Sequence, residues 1–275
     1  MTSVPVGREP ITEFVPGVPR LAYSSAGSGS LLVFLHGIGG NRTNWSRQIE
    51  MARQEYHAIA WDARGYGDSD DYEGPLAFAD FSHDLRRLLD HLEADTAHLC
   101  GLSMGGRIAL DFYDHYPERV KSLILCDTFP GFDASFTQEG RERFVRERRQ
   151  PLMEGKELAD IAPLVARTLV APSARPEVVQ KLIESMCILH KDSYIKTIEG
   201  MTLYTPITDV SEIRVPVQII VGSEDKLTPP SVSKKMADAI PGARLLVLER
   251  TGHMSNLESR DAFDQCVREF LNGID

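Results

Sequence analysis

Ser103 lies in the run Gly101-Leu102-Ser103-Met104-Gly105-Gly106, after an apolar stretch and before a helical pattern. That is the strand–turn–helix context in which a G-x-S-x-G serine can act as a nucleophile. The turn is sharp, so small residues are needed two places before and two places after the serine, and Gly101 and Gly105 supply them. The helix that follows turns the positive end of its dipole toward developing anions. A serine hydroxyl needs a base, and the base needs a third group to orient it. His253 follows the apolar run Arg244–Leu248 and is the candidate base. Asp225 follows Val217–Val221 and is the candidate acid, with Glu224 and Asp127 as rivals. A third feature, His36-Gly37-Ile38-Gly39-Gly40-Asn41, lacks both the G-x-G-x-x-G spacing and a P-loop Lys-Ser/Thr. It reads as a tight loop presenting a backbone N–H, so Ile38 and Met104 are the expected oxyanion donors. His36 is expected to anchor that loop.

These residues need a scaffold that brings three distant segments to one edge. Short apolar runs at Leu31–Leu35, His57–Trp61, Ala97–Leu102, Val120–Cys126, Val217–Val221 and Arg244–Leu248 suit parallel strands buried on both faces. Ile11–Val15 and Arg20–Ser24 flank Pro16-Gly17 and read as a hairpin. Phe78–Ala94, Met104–His115, Val232–Ile240 and Asp261–Leu271 carry helical periodicity, which with the strands predicts a doubly wound, mostly parallel α/β sheet. The alternation stops after Cys126. Helical segments near Gln138–Leu152, Leu158–Leu169, Arg175–Leu189 and Ser193–Leu203 read as an inserted helical cap, the last ended by Pro206. The expected organisation is a core of 1–127 and 211–275 with a cap at 128–210. The charged run Arg141–Arg149 resembles a basic patch, but Glu142/Arg146 and Arg143/Glu147 fall at i,i+4 and favour a solvated helix face.

The 275 residues carry a formal net charge of −10, which argues against nucleic acid as the main partner. Cys100, Cys126, Cys187 and Cys266 show neither C-x-x-C nor zinc spacing, so no metal, cofactor or disulfide framework is expected. Met1–Pro10 lacks an apolar signal region and no run is long enough to span a bilayer; a cytoplasmic enzyme without membrane contact is expected. Oligomeric state stays open, with a homo-oligomer one outcome.

The chain resembles the α/β-hydrolase superfamily along almost its whole length. The likeness rests on LHGIGGN at 35–41, WDARGYGDSD at 61–70, GLSMGG at 101–106, ERV at 118–120, VGSEDKLTP at 221–229 and GHMSNLE at 252–258. It implies the α/β-hydrolase fold with an inserted cap, a Ser103–His253–Asp225 triad, and a structural role for Arg64, Gly65, Gly67 and Ser69. Gly-x-x-Asp followed by Thr-Pro resembles the fold's usual acid loop, which favours Asp225. GLSMGG and the pattern around Tyr194–Thr202 look like 3-oxoadipate enol-lactonases and related carboxylesterases, implying a small-molecule ester or lactone substrate and an acyl-serine intermediate. Carbon–carbon hydrolysis of a ring-cleavage product is the alternative, although Gly39-Gly40-Asn41 departs from the Gly-Pro-Gly loop usual there. Peroxyacid formation of the cofactor-free haloperoxidase type can accompany esterase activity, and a nucleophilic serine excludes the dehalogenases. A ligand-sensing protein with slow turnover is the reading from another class. No residue of the sequence stands out as a holder of substrate carboxylates, and Arg107 is expected to face outward or bond within the fold.

Overall fold

The computed structural model describes residues 11–131, 138–203 and 208–274. The readings placed on Met1–Pro10 and on Pro206 lie outside these residues. An eight-stranded sheet runs through the centre in the order β1-β2-β4-β3-β5-β6-β7-β8. β1 (Ile11–Val15) and β2 (Leu21–Ala26) form the expected antiparallel hairpin, and β2 also pairs antiparallel with β4 (Tyr56–Trp61). β3 (Ser30–Leu35), β4, β5 (Ala97–Leu102), β6 (Val120–Cys126), β7 (Val217–Gly222) and β8 (Arg244–Leu248) are parallel.

β5 is buried at every position, as its apolar sequence requires at the middle of a sheet covered on both faces. β8 departs from expectation. It is the last strand of the sheet, and Arg244, Leu245 and Val247 are exposed. An apolar run alone does not distinguish a central strand from an edge one.

The chain steps from β3 out to β4 and returns to place β5 on the other side of β3. Open α/β sheets leave a crevice beyond the carboxyl ends of the strands at such a reversal. The glycine loop after β3 and Ser103 after β5 both sit there, with Leu35 opposite Gly101 in register.

A 3-10 turn at Arg42–Trp45 leads into α1 (Ser46–Ala52), a seven-residue helix too short to leave a readable period in the sequence. α2 (Ala79–His91) buries Phe81, Leu85, Leu88 and Leu89, the i, i+4, i+7, i+8 stripe of an amphipathic helix. α3 (Met104–His115) packs on β3, β5 and β6. Among the described residues, four α-helices separate β6 from β7: α4 (Gln138–Met153), α5 (Leu158–Leu169), α6 (Pro176–Cys187) and α7 (Lys191–Leu203). They pair as α5 with α6 and α4 with α7. α8 (Pro230–Ala239) connects β7 to β8, and α9 (Ser255–Glu258) and α10 (Arg260–Asn272) close the described chain.

The loop after β4 is structural, as the resemblance implied. Asp62 accepts from the Arg42 and Asp68 backbone N–H groups and pairs with the Arg42 guanidinium. Arg64 grips Asp84 through Nε at 2.6 Å and Nη2 at 3.0 Å. The Ser69 hydroxyl donates to Asp62 O and accepts from Ala22 N–H.

The turn at Ser103 depends on close backbone approach. A Cβ on Gly101 would run into the Gly105 carbonyl, and one on Gly105 into the Leu35 carbonyl. Gly105→Ala is therefore expected to destabilise the protein by about 1–3 kcal/mol, the usual cost of forcing extra volume into a packed interior. Chemical denaturation reads this directly, and an unchanged midpoint would contradict the described approach of α3 to β3.

Candidate active site

Ser103 occupies the turn between β5 and α3 with φ 55°, a left-handed conformation in which a residue with a side chain is strained. Its N–H donates to Cys126 O at 2.8 Å, and its carbonyl accepts from the Thr128 hydroxyl at 2.6 Å. The backbone is thus clamped to the end of β6 while the side chain borders a cavity. Ser103 is only 7% exposed, so access to its hydroxyl runs through this cavity. His253 borders the same space, as do Gly37, Ile38, Gly39 and Gly40.

Asp225 lies in the loop after β7. Its Oδ2 accepts from His253 Nδ1 at 2.8 Å and from the Thr228 hydroxyl at 2.6 Å. Its Oδ1 accepts from the N–H groups of Leu227 at 2.8 Å and Thr228 at 3.0 Å. Burial pushes the Asp225 carboxyl up, but the neighbouring His253 charge and the donated hydrogen bonds outweigh it and hold the group below its ordinary value. Burial likewise pushes His253 down, and the Asp225 carboxylate more than reverses it, so His253 stands above its ordinary value. With Nδ1 turned to Asp225, Nε2 is the nitrogen left to exchange a proton with Ser103. The Ser103 hydroxyl makes no hydrogen bond to His253 among the described residues. Such contacts often close only when substrate binds.

The two rivals for the acid occupy other places. Glu224 sits half-buried beside Asp225 and ties its loop through its N–H to Thr251 O at 2.8 Å. Asp127, at the end of β6, accepts from Gly222 N–H at 2.9 Å and Ser255 N–H at 3.2 Å. It therefore splices the acid loop to the histidine loop without touching the imidazole. Burial and the nearby Asp225 charge raise Asp127 to about 7.

A third carboxyl, Glu258, accepts from the N–H groups of Ala171 at 2.8 Å, Gly252 at 3.1 Å and Met254 at 3.2 Å. Glu258 escaped the sequence reading although it closes the GHMSNLE run; its role depends on three backbone donors that no local pattern reveals. His253 N–H itself donates to Leu169 O at 2.7 Å, joining the histidine loop to the end of α5.

The glycine loop is held from beneath and from above. His36 Nδ1 donates to Gly37 O at 2.8 Å, which leaves Nε2 to accept from Ala63 N–H at 3.1 Å. Burial lowers its pKa, so this imidazole is a neutral anchor. On the upper side Asn41 Nδ2 donates to the Ser185 hydroxyl of α6 at 2.8 Å, and that hydroxyl donates to Asn44 Oδ1 at 3.0 Å. Met104 opens α3, where a backbone N–H has no intrahelical acceptor, and Ile38 donates to no backbone carbonyl among the described residues. Ile38 borders the cavity, and Met104 follows Ser103 directly in the chain.

Of the two outcomes expected for Arg107, facing outward or bonding within the fold, the structure shows the second: it is buried between the rings of Phe78 (5.2 Å) and Phe129 (5.0 Å) and donates to Met201 O of α7 at 2.9 Å. Burial lowers it to about 9. Arg148 leaves the solvated face expected of 141–149 and borders the cavity. The signal was present: Val145, Arg148 and Leu152 fall at i, i+3 and i+7, and Val145 and Leu152 are the buried residues of α4.

A parallel sheet with a nucleophile turn after β5 and an acid–histidine pair after β7 and β8 defines an α/β-hydrolase architecture. Residues 30–259 match the family described as alpha/beta hydrolase fold, and the chain belongs to that family. A 3-oxoadipate enol-lactonase 2 from Acinetobacter baylyi is 29% identical over 243 residues, 87% of this chain and 88% of its own. A 2-hydroxy-6-oxononadienedioate/2-hydroxy-6-oxononatrienedioate hydrolase from Burkholderia vietnamiensis is 31% identical over 266 residues, 92% of this chain and 91% of its own. Among solved structures, a malate-bound thermophilic esterase from Thermogutta terrifontis superposes with a TM-score of 0.86 at 29% identity, covering 93% of this chain and 94% of that one. Among the described residues no helix is long and apolar enough to cross a membrane, and no cluster of His, Cys, Asp and Glu is arranged to hold a metal ion.

The geometry separates the carboxyls by role. Asp225→Asn is expected to lower kcat by about 10⁴, because the amide favours the wrong imidazole tautomer. Asp127→Asn, which leaves the imidazole contact in place, should lower turnover far less and cost about 1–3 kcal/mol of stability through the buried Ser255 N–H it leaves without an acceptor. Steady-state kinetics and denaturation of both variants measure this, and the reverse ranking of turnover would make Asp127 the acid.

The raised His253 pKa gives a second expectation. The base works only when neutral, so kcat/KM should fall as pH drops through an acid limb centred above the ordinary histidine value of 6.5. In Asp225→Asn the limb should move to lower pH, since the charge that raises it is gone.

Proposed function

We propose that this protein is a serine hydrolase of carboxylic esters or lactones. The carrying observation is the buried Asp225–His253 contact of 2.8 Å, placed so that His253 and Ser103 face one predominantly apolar cavity. Ser103 Oγ attacks the scissile carbonyl carbon while His253 Nε2 takes the hydroxyl proton. Negative charge gathers on the former carbonyl oxygen, which the N–H groups of Ile38 and Met104 receive. One such donor is typically worth about 10²–10³ in rate. Collapse of the tetrahedral adduct breaks the C–O bond, and His253 returns its proton to the leaving oxygen. In a lactone that oxygen stays tethered to the acyl group. Water then adds to the acyl-Ser103 carbonyl with His253 again as base, and the free acid leaves. No step calls for a cofactor.

The similarity to an enol-lactonase and to an esterase supports ester or lactone cleavage. The 31% identity to a carbon–carbon hydrolase supports a second reading, in which the same triad cleaves a vinylogous ring-cleavage diketone. Water exclusion by the apolar cavity serves either chemistry.

A product-resolved panel of aryl esters, lactones and ring-cleavage dienones separates these readings. Ester or lactone turnover over many equivalents, abolished in Ser103→Ala with the fold retained by circular dichroism, is the expected result. Turnover confined to the dienones would replace it with carbon–carbon hydrolysis. Binding with no turnover of any substrate would instead fit a ligand sensor, and Ser103→Ala retaining wild-type turnover would remove Ser103 from the chemistry.

A further inference from the structure

The cavity at Ser103 is lined by apolar and neutral polar residues with one exception. Among the described residues, Arg148 is the one lining residue with a permanently charged side chain, and none is an aspartate or glutamate. Three other arginines withdrawn from solvent are matched to carboxylates, Arg42 to Asp62, Arg64 to Asp84, and neighbouring Arg149 to Glu199 at 2.5 Å, while buried Arg107 donates to a backbone carbonyl. Arg148 instead lies over the Phe144 ring at 3.7 Å and makes no ion pair among the described residues. Glu147, the residue before it, is exposed and acts on the Arg148 charge without forming an ion pair with it. Tyr194, buried on α7, lines the same cavity and feels the Arg148 charge. Its hydroxyl has no hydrogen-bond partner among the described residues.

An arginine taken out of water without a counter-ion is unfavourable for the folded protein alone. Burial accordingly weakens its hold on its proton. A cation kept in that position is repaid when an anion enters the cavity, where low polarity strengthens the attraction and the planar guanidinium matches a carboxylate. Phe144 fixes the plane of the guanidinium by stacking, which reduces the conformational freedom lost on binding. Tyr194 offers a further O–H donor on the same wall.

We propose that Arg148 anchors a substrate carboxylate remote from the scissile carbonyl, so that the site selects negatively charged esters or lactones over neutral ones of the same shape. This rests on the assignment of Ser103 and His253 as the hydrolytic pair. Arg148 is then a specificity-determining residue on α4, and the chemistry at Ser103 does not pass through it.

The test compares 4-nitrophenyl hydrogen glutarate with 4-nitrophenyl valerate, and 4-acetoxybenzoate with 4-tolyl acetate. The first pair places the carboxylate in the acyl part and the second in the leaving group. In the wild type, kcat/KM should favour the anion in at least one pair. Arg148→Gln should reduce that anion-to-neutral ratio about ten- to a hundredfold, chiefly through KM, as expected for a lost charge-assisted hydrogen bond. Arg148→Lys should reduce it less. Because Arg148 breaks no ion pair when replaced, the melting temperature of Arg148→Gln should not fall.

Equal losses on charged and neutral esters, or a wild type with no preference in either pair, would overturn the proposal. Titration of glutarate into Ser103→Ala by calorimetry separates this failure from failure of the hydrolytic reading. Binding weakened by Arg148→Gln supports the anchor whatever Ser103 does, and binding indifferent to Arg148→Gln refutes it.

Discussion

The contact between His253 and Asp225 is the constraint around which the rest of the site is arranged. It joins two loops that leave neighbouring strands β7 and β8, so its 2.8 Å length is set by how those loops are fastened. Thr228 and Leu227 fix the carboxylate from its own loop, Asp127 splices that loop to Ser255, and Glu258 gathers the backbone donors around His253. Three carboxyl groups thus surround one imidazole, and their surroundings shift them in different directions. Asp225 is held low by its donors, whereas burial raises both Asp127 and Glu258. The carboxyl that touches the ring is the one whose donors most favour its charged form.

The sheet explains why such distant residues meet. Ser103, Asp225 and His253 each follow a parallel strand, so all three leave from the same edge. The reversal between β3 and β5 opens the crevice at the nucleophile, and the glycine loop after β3 fills its rim. The close approach of α3 to β3 at Gly105 sets the height of Ser103 above that rim. The described helices between β6 and β7 provide much of the cavity roof.

Much of this was legible in the sequence because its signals are local. An apolar run of five to seven residues marks a strand, a stripe such as Phe81-Leu85-Leu88-Leu89 marks a helix face, and glycines flanking Ser103 mark a tight turn. What was missed depends on distance in space. Nothing local shows that Arg244–Leu248 is an edge strand, since that follows from the absence of a ninth strand beside it. Glu258 looks like any polar helix residue until its backbone partners are brought together. α4 is charged around most of its circumference, so the weak stripe of Val145, Arg148 and Leu152 was hidden by stronger i,i+4 pairing of opposite charges. At Arg107 the sequence left two outcomes open, facing outward or bonding within the fold, and only the packing of two aromatic rings and a carbonyl of α7 decides for the second.

The hydrogen bond from Asn41 to Ser185 has a mechanical consequence. The loop carrying Ile38 is fastened to α6, a helix that also walls the cavity through Leu182 and Met186. Lifting α6 to enlarge the entrance pulls on the same strap that orients the anion-receiving N–H. The glycine loop and α6 are thereby coupled, so that the shape of the chamber and the orientation of its rim are set together.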